Sequence, residues 1–247
     1  MADLKKLIVI PTYNEIKNIK QLIENIYTVQ PDTNVLIVDD NSPDGTGNLI
    51  DKLIEQNTFH NRLFVLHRPT KLGLGTAYVT GFSWGLARGY EVFLSMDADF
   101  SHDSKYLPEI FEQIKNNDLV IGSRYIKGGG VKGWGLDRQV LSRGGNLYAQ
   151  MVLLSSIRDL TGGYNCYRGD FLKKIRLPEI MSKGYCFQIE MKFRHVLLGA
   201  KIKEVPITFT DRVLGVSKMS GSIFKEAICN VLLLSLKRFK IKREMKR

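Results

Sequence analysis

Five short apolar runs, the first four each followed by a stretch of helical periodicity, fill the first 124 residues and leave few folds open to this chain. They are "KLIVIP" (6–11), "NVLIVDD" (34–40), "RLFVLHR" (62–68), "EVFLSMD" (91–97) and "DLVIGSR" (118–124). Between them, Ile19, Leu22, Ile23 and Ile26 recur at three- and four-residue spacing, which predicts a helix capped by Asn14. Leu49, Ile50, Leu53 and Ile54, then "GTAYVTGFSWGLARG" (75–89), then Leu107, Ile110, Phe111 and Ile114 predict three more. Strands with no polar alternation must be covered on both faces. The predicted class is therefore α/β, a Rossmann-like, mostly parallel sheet between helical layers.

The alternation then breaks. Residues 127–145, "KGGGVKGWGLDRQVLSRGG", read as a glycine-rich mobile loop, with an exposed Trp134, leading into a helix. A βα-type stretch, the helix "FQIEMKFRHVLLG" (187–199) and the strand "KIKEVPITF" (201–209) follow. Residues 222–240 place Ile223, Phe224, Ile228, Val231, Leu232, Leu236 and Phe239 at helical spacing, a C-terminal amphipathic helix with a basic end. There is no repeat and no low-complexity linker, so one domain over 1–221 and an amphipathic basic tail over 222–247 is the economical division.

Composition narrows the function classes. The net charge is +11, and residues 237–247 alone carry seven Lys/Arg against one Glu. Such a tail suits a solvated end, nucleic acid or anionic lipid, but no aromatic-basic platform of the RNA-binding kind accompanies it. No apolar run is long enough to cross a bilayer, and the N-terminus lacks a cleavable-signal pattern. Cys166, Cys186 and Cys229 are widely spaced and odd in number, which suits a reducing compartment. The four histidines lack zinc-ligand spacing.

In open α/β sheets ligands bind at the carboxyl ends of the strands. Here those ends read "PTYNE" (11–15), "VDDNSPDG" (38–45), "MDADFSH" (96–102) and "GSRY" (122–125). Taken as a strand continuation, Asp97 and Asp99 point to one side, about 6–7 Å apart. Three acidic strand ends beside an arginine suit a hard divalent cation bridging carboxylate to a phosphate oxygen. "KLGLGTAY" (71–78) lacks the third glycine of a dinucleotide fingerprint and the Lys-Ser/Thr of a phosphate-binding loop.

The ordered set "PTYNE", "VDDNSPDGT", "KLGLGTAY", "MDADFSH", "GSRY", "GGYNCYR" and "DRVLGVSKM" resembles the family-2 glycosyltransferases of GT-A fold. Within them it is most similar to the dolichol-phosphate mannose synthases, in the form without a transmembrane anchor. The resemblance runs to about residue 221. It implies transfer of mannose from GDP-mannose to dolichyl phosphate with inversion, for protein glycosylation and glycolipid-anchor synthesis. It also implies a peripheral enzyme on the cytosolic face of the endoplasmic reticulum, using Mg2+ or Mn2+.

By the same resemblance, Pro11, Tyr13 and Glu15 form the nucleoside loop, with Val38 and Asp40 completing the base site and Asp39 left to a turn. Asp97 and Ala98 contact ribose and diphosphate; the metal falls to Asp99 with Asp97, and Ser101 stands at a further ligand position. Arg124, Arg212 and Lys218 hold donor diphosphate and acceptor phosphate, which makes Asp99 and Arg124 the catalytic candidates. The tail is expected at a membrane surface, on small membrane-spanning subunits, or on the protein's own core. A UDP-glucose donor, a hydroxyl acceptor and a nucleic-acid-binding protein are the competing readings.

Overall fold

In a computed structural model, the chain is described over residues 4–182, 184, 186–211 and 221–245. The first half alternates as its apolar runs require: β1 (Lys6–Thr12), α1 (Ile19–Val29), β2 (Asn34–Asp39), α2 (Thr46–Glu55), β3 (Leu63–His67), α3 (Leu74–Ala87), β4 (Val92–Ser95), α4 (Leu107–Gln113) and β5 (Leu119–Ser123). Then come β6 (Gly130–Lys132), α5 (Leu136–Leu153), β7 (Asn165–Arg168), α6 (Gly169–Ile175), α7 (Cys186–Leu197), β8 (Ile202–Pro206), β9 (Thr208–Thr210), α8 (Gly221–Leu236) and α9 (Arg238–Met245).

The seven-stranded sheet runs β3-β2-β1-β4-β7-β5-β8, and only β7 is antiparallel to its neighbours. Side chains alternate along β1 as a pleated strand demands. Ile8 and Ile10 pack with Ile19, Leu22, Ile23 and Ile26 of α1, whereas Leu7 and Val9 pack with Ala77, Tyr78 and Phe82 of α3. The glycines of α3 are part of this packing. A Cβ at Gly81 would collide with Val9, and one at Gly85 with Phe93 and Leu7, so α3 lies closer to the sheet than a helix with side chains there can.

Several expectations are corrected. Asn14 does not cap α1; it adopts φ 63° inside the β1–α1 loop, and the helix opens five residues later at Ile19, whose N–H donates to the Glu15 carbonyl at 3.0 Å. The glycine-rich segment is not wholly loop: β6 pairs in parallel with β9, and α5 begins at Leu136. Trp134 is half-buried, edge-on to Phe209 at 5.4 Å. The strand expected over 201–209 divides at Ile207, whose N–H bonds Ser123 O at 3.0 Å while β9 leaves for the small sheet. The stretch before 175 contains β7, the antiparallel strand that a βα repeat would not contain.

The C-terminal segment is two helices with a turn at Lys237, and it packs on the protein itself. Val231 and Leu234 of α8 and Ile241 and Met245 of α9 join the core beside α5 and α7. Leu232, Leu233, Leu236 and Phe239 stay exposed. Among the described residues no helix is long and apolar enough to cross a membrane.

Candidate functional site

Parallel register brings three strand ends to one edge. Thr12 sits opposite Asp39, and Val9 opposite Ser95, so the loops after β1, β2 and β4 are neighbours. The loop after β2 is built by Asp39, which accepts from Thr12 Oγ1 at 2.8 Å, Ser42 N–H at 2.9 Å and Ser42 Oγ at 2.6 Å. That is an Asx-type turn, as expected for Asp39. Asp40 is buried and ion-paired through one oxygen to Arg68 at 2.9 Å. Burial raises its pKa against the opposing pull of Arg68. Lys71 lies over the Tyr13 ring at 4.1 Å, and Glu15 donates its N–H to Thr46 Oγ1 at 3.0 Å. Pro11 and Val38 are paired in register on β1 and β2, just before these groups.

The second cluster follows β4. That strand ends at Ser95, so Asp97 and Asp99 are not strand residues and the alternation argument does not place them. They lie in a tight loop that turns through Phe100 at φ 61°. Tyr78 OH donates to Asp97 Oδ1 at 3.1 Å, and Asp97 N–H donates to His102 Nδ1 at 3.0 Å. Asp99 is buried; its Oδ1 accepts from Ser101 N–H at 3.1 Å and from Ser101 Oγ. Ser101 thus orients Asp99. Ala98, almost fully buried, packs in the α1-side core. Burial lowers the His102 pKa against the pull of Asp97 and Asp99, so the ring is neutral near pH 7, with its proton on Nε2.

Arg124 forms the third cluster. Its Nε and Nη2 make a bidentate pair with Asp159, each at 2.8 Å; its backbone N–H also reaches Asp159 at 2.9 Å, and Nη2 donates to Thr161 at 2.7 Å. Those bonds leave the two Nη1 protons unused. Around the guanidinium stand the rings of Tyr125, Trp134 and Phe209 at 5.0, 5.7 and 5.6 Å. Arg138 covers Trp134 at 4.2 Å and pairs with Asp211 at 2.8 Å. Burial alone would raise the Asp159 pKa, but Arg124 and the buried Lys192 hold it well below the carboxylate range.

These clusters are joined. On α3, Thr76 Oγ1 accepts from Arg68 at 2.7 Å while Tyr78 reaches Asp97, tying the Asp40 cluster to the acidic loop. The His102 ring stacks on Tyr164 at 4.8 Å and meets Phe209 at 5.6 Å, tying that loop to the Arg124 cage. Arg212 and Lys218 lie outside the described residues. The sequence motifs alone assign no site role to Arg68, Lys71, Tyr78, His102, Arg138 and Asp159. Of these, Asp159 had a local signal: it opens "DLTGG" and accepts from Gly162 N–H three residues on at 2.9 Å, an acidic turn-former shortly before glycine.

A divalent cation fits this chemistry as an open site. Asp97, Asp99 and Ser101 offer only oxygen donors, and among the described residues no group of three or more His, Cys, Asp or Glu forms a complete cage. Magnesium-type sites of one or two carboxylates are completed by substrate phosphate.

Residues 7–176 match the family described as glycosyl transferase family 2. The chain is 48% identical over 229 residues to an undecaprenyl-phosphate mannosyltransferase of Micrococcus luteus, covering 92% of this chain and 93% of that protein. It is 47% identical over 228 residues to a polyprenol monophosphomannose synthase of Mycolicibacterium smegmatis, covering 92% and 85%. Among solved structures, mannosyl-3-phosphoglycerate synthase of Rubrobacter xylanophilus superposes with a TM-score of 0.65 at 15% identity, covering 96% of this chain and 76% of that one. Glucosyl-3-phosphoglycerate synthase of Mycobacterium tuberculosis, in complex with Mn2+, UDP and glucosyl-3-phosphoglycerate, gives 0.63 at 16%, covering 96% and 80%. The fold is GT-A.

Proposed function

The chain belongs to the family-2 glycosyltransferases, and from that premise we propose that it transfers mannose from GDP-mannose to a polyprenyl phosphate with inversion. The acceptor class and the sugar are supported by two relatives that match over 92% of the chain and are named for polyprenyl-phosphate mannosylation. The observation that carries the chemistry is the junction of the acidic 97–101 loop with the Arg124 cage across His102 and Phe209. It supports a reading in which these carboxylates serve a metal-bound diphosphate and Arg124 serves a second phosphate.

Pro11, Tyr13, Glu15 and Val38 frame the nucleoside, and Asp40 accepts from guanine N–H groups with Arg68 fixing its carboxylate. Asp97 and Ala98 line the ribose and diphosphate. Asp99, with Asp97, would hold Mg2+ or Mn2+, and Ser101 orients Asp99. When bound, the cation acts as a Lewis acid that offsets charge on the departing GDP. Arg124 presents Nη1 to phosphate, with Arg212 and Lys218 as its partners. The acceptor, a phosphomonoester with second pKa about 6, is already largely dianionic at neutral pH. It needs positioning rather than proton removal, consistent with a neutral His102 whose Nδ1 is already engaged. One phosphate oxygen bonds the anomeric carbon as the bond to the GDP β-phosphate breaks, giving a β-mannosyl phosphate.

The named relatives are bacterial, so they support a polyprenyl acceptor without supporting the dolichyl form or the endoplasmic reticulum. The location we propose is peripheral, on the cytosolic face of whichever membrane holds the acceptor. The test is transfer by the full chain from GDP-mannose or UDP-glucose to undecaprenyl or dolichyl phosphate, with Mn2+, Mg2+ or chelator. Preference for UDP-glucose overturns the donor, an α-linked product overturns direct displacement, and full activity in chelator overturns the metal.

A further inference from the structure

Helix α7 buries every residue from Cys186 to His195, polar ones included. Most of that polarity is engaged. Glu190 accepts from Met181 N–H at 3.1 Å and Ser182 N–H at 2.9 Å, and Lys192 donates to Leu160 O and Gly162 O. Gln188, 3% exposed, engages only its carbonyl: Oε1 accepts from Asn165 Nδ2 at 3.0 Å and from Tyr167 OH at 3.5 Å. Its Nε2 is buried and has no hydrogen-bond partner among the described residues. Turning the amide round does not help. Asn165 Nδ2 is also held by Gly162 O at 3.0 Å, so it presents N–H to Gln188, and Gln188 must answer with oxygen. A buried amide donor left unpaired is costly, and such a group in a folded protein calls for an explanation.

The explanation lies in front of Gly163. A methyl group on that residue would lie 3.3 Å from His102 Cε1, 3.6 Å from Gln188 Nε2 and 3.7 Å from Asp97 Oδ2. The bare Cα thus leaves a niche for one heavy atom, with an unused amide donor on one side and a carboxylate oxygen on the other. Its walls are held in place. Ser95 Oγ donates to Gly163 O at 2.6 Å, Tyr78 OH donates to Asp97 Oδ1, and Phe187 stacks on Tyr78 at 5.7 Å. Gly163 and Asp97 are both half-buried, so a ligand can reach the niche from solvent.

We propose that this niche seats one hydroxyl of the transferred hexose, which accepts from Gln188 Nε2 and donates to Asp97 Oδ2. Only a group that both accepts and donates satisfies both walls. Phosphate would oppose the Asp97 carboxylate, and an ammonium would oppose the Gln188 N–H. A carboxylate oxygen has lone pairs for this hydroxyl as well as for other partners. Topology selects the hexose over the ribose. In the order β2-β1-β4-β7 the nucleoside loops follow β1 and β2, and the Asp97 loop follows β4. Strand β7 is antiparallel, with Asn165 opposite Ser95, so Gly163 enters the same edge on the far side of that loop. A donor laid from base to diphosphate across the Asp97 loop therefore brings its sugar to Gly163. Gln188 becomes a residue that selects the sugar, and the glycine a requirement of space. The inference rests on the proposed transfer from a sugar nucleotide.

The test is calorimetric titration of the full chain, with Mn2+, by GDP, GDP-mannose and four donors deoxygenated at C2, C3, C4 or C6 of the mannose. One deoxy donor should bind wild type about tenfold more weakly than GDP-mannose, as one lost hydrogen bond requires. Gln188→Met should bind GDP-mannose about tenfold more weakly, lose nothing further with that same deoxy donor, and bind GDP as wild type does. Gly163 has no positive φ, and the added methyl meets nothing closer than 3.3 Å. Gly163→Ala should therefore keep the wild-type melting temperature, leave the bonds of Gln188 intact, and show the same loss for GDP-mannose but not for GDP. Additive losses for all four deoxy donors, equal losses for GDP, or unchanged GDP-mannose binding in both variants (a niche that holds only water) overturn the proposal. The parent reading fails separately. A wild type that prefers UDP-glucose overturns the mannose donor, and the same two variants titrated with UDP-glucose against UDP still decide the niche.

Discussion

Replacing Asp159 with Asn tests whether the Arg124 cage is held by a buried ion pair. Asp159 is fully buried and receives hydrogen bonds from Arg124 N, Nε and Nη2 and from Gly162 N–H. The substitution keeps the shape but leaves a guanidinium that is itself buried without its counter-charge. Breaking one side of such a pair costs about 3–5 kcal/mol. At about 2–4 °C per kcal/mol for a chain this size, the melting temperature should fall by about 6–20 °C. The pH dependence gives a second readout. Because the folded carboxyl titrates below its unfolded value, the unfolded chain binds more protons as pH drops through about 4. The pair's stabilisation is therefore complete above that pH and is lost on further acidification. Urea denaturation of wild type and Asp159→Asn at pH 7, 5 and 3 should show a gap that narrows toward pH 3. A gap under 1 kcal/mol at pH 7, or one that stays constant to pH 3, would refute the buried-pair account. A matched Arg124→Met/Asp159→Leu protein should be more stable than Asp159→Asn, since neither charge is then stranded.

Three further substitutions address other parts of the molecule. Ser101→Ala removes both the hydroxyl donated to Asp99 and its freedom to ligate; transfer should drop about tenfold, the lower end of what losing an outer-shell partner costs, with less than 1 kcal/mol of stability lost. An unchanged rate across a Mn2+ titration would show that Asp99 needs no such support. Gly81→Ala puts a methyl group into Val9 and should cost about 1–3 kcal/mol by thermal denaturation; a neutral result would mean that α3 can lift off the sheet freely. Lys192 is fully buried, bonded to Leu160 O at 3.2 Å and Gly162 O at 2.6 Å, and faces Asp159, Arg124 and Glu204; burial brings its pKa down to about 7. The unfolded lysine stays protonated to about pH 10, so stability should rise with pH from about 7 upward relative to Lys192→Met. Parallel pH curves for the two proteins would contradict that.

What the sequence disclosed, and what it hid, follow from how local each signal is. The first five strands and four helices are legible because each buries its own face, and the residues that do so are three, four or two apart along the chain. The "DAD" segment shows the limit of that logic. Its carboxylates look like a strand continued, but β4 has its last partner at Val9–Ser95, and beyond it the backbone must find other bonds. Asp97 N–H finds His102, and Asp99 finds Ser101. Both partners lie within five residues, so "DADFSH" can be read as a turn. The pairs that complete the site are of another kind. Asp40 meets Arg68 and Arg124 meets Asp159 across gaps of 28 and 35 residues, and no periodicity in one sequence records such a meeting. The exposed apolar residues of α5, Leu136, Val140, Leu147 and Met151, were hidden for a third reason. They are interleaved with "DRQ", "SRGGN" and "AQ", which mask a helical stripe when the segment is read as a glycine-rich loop. In each case the residues that hold the scaffold announced themselves by spacing. The residues that meet a distant counter-charge did so only after the fold had brought separate parts of the chain together.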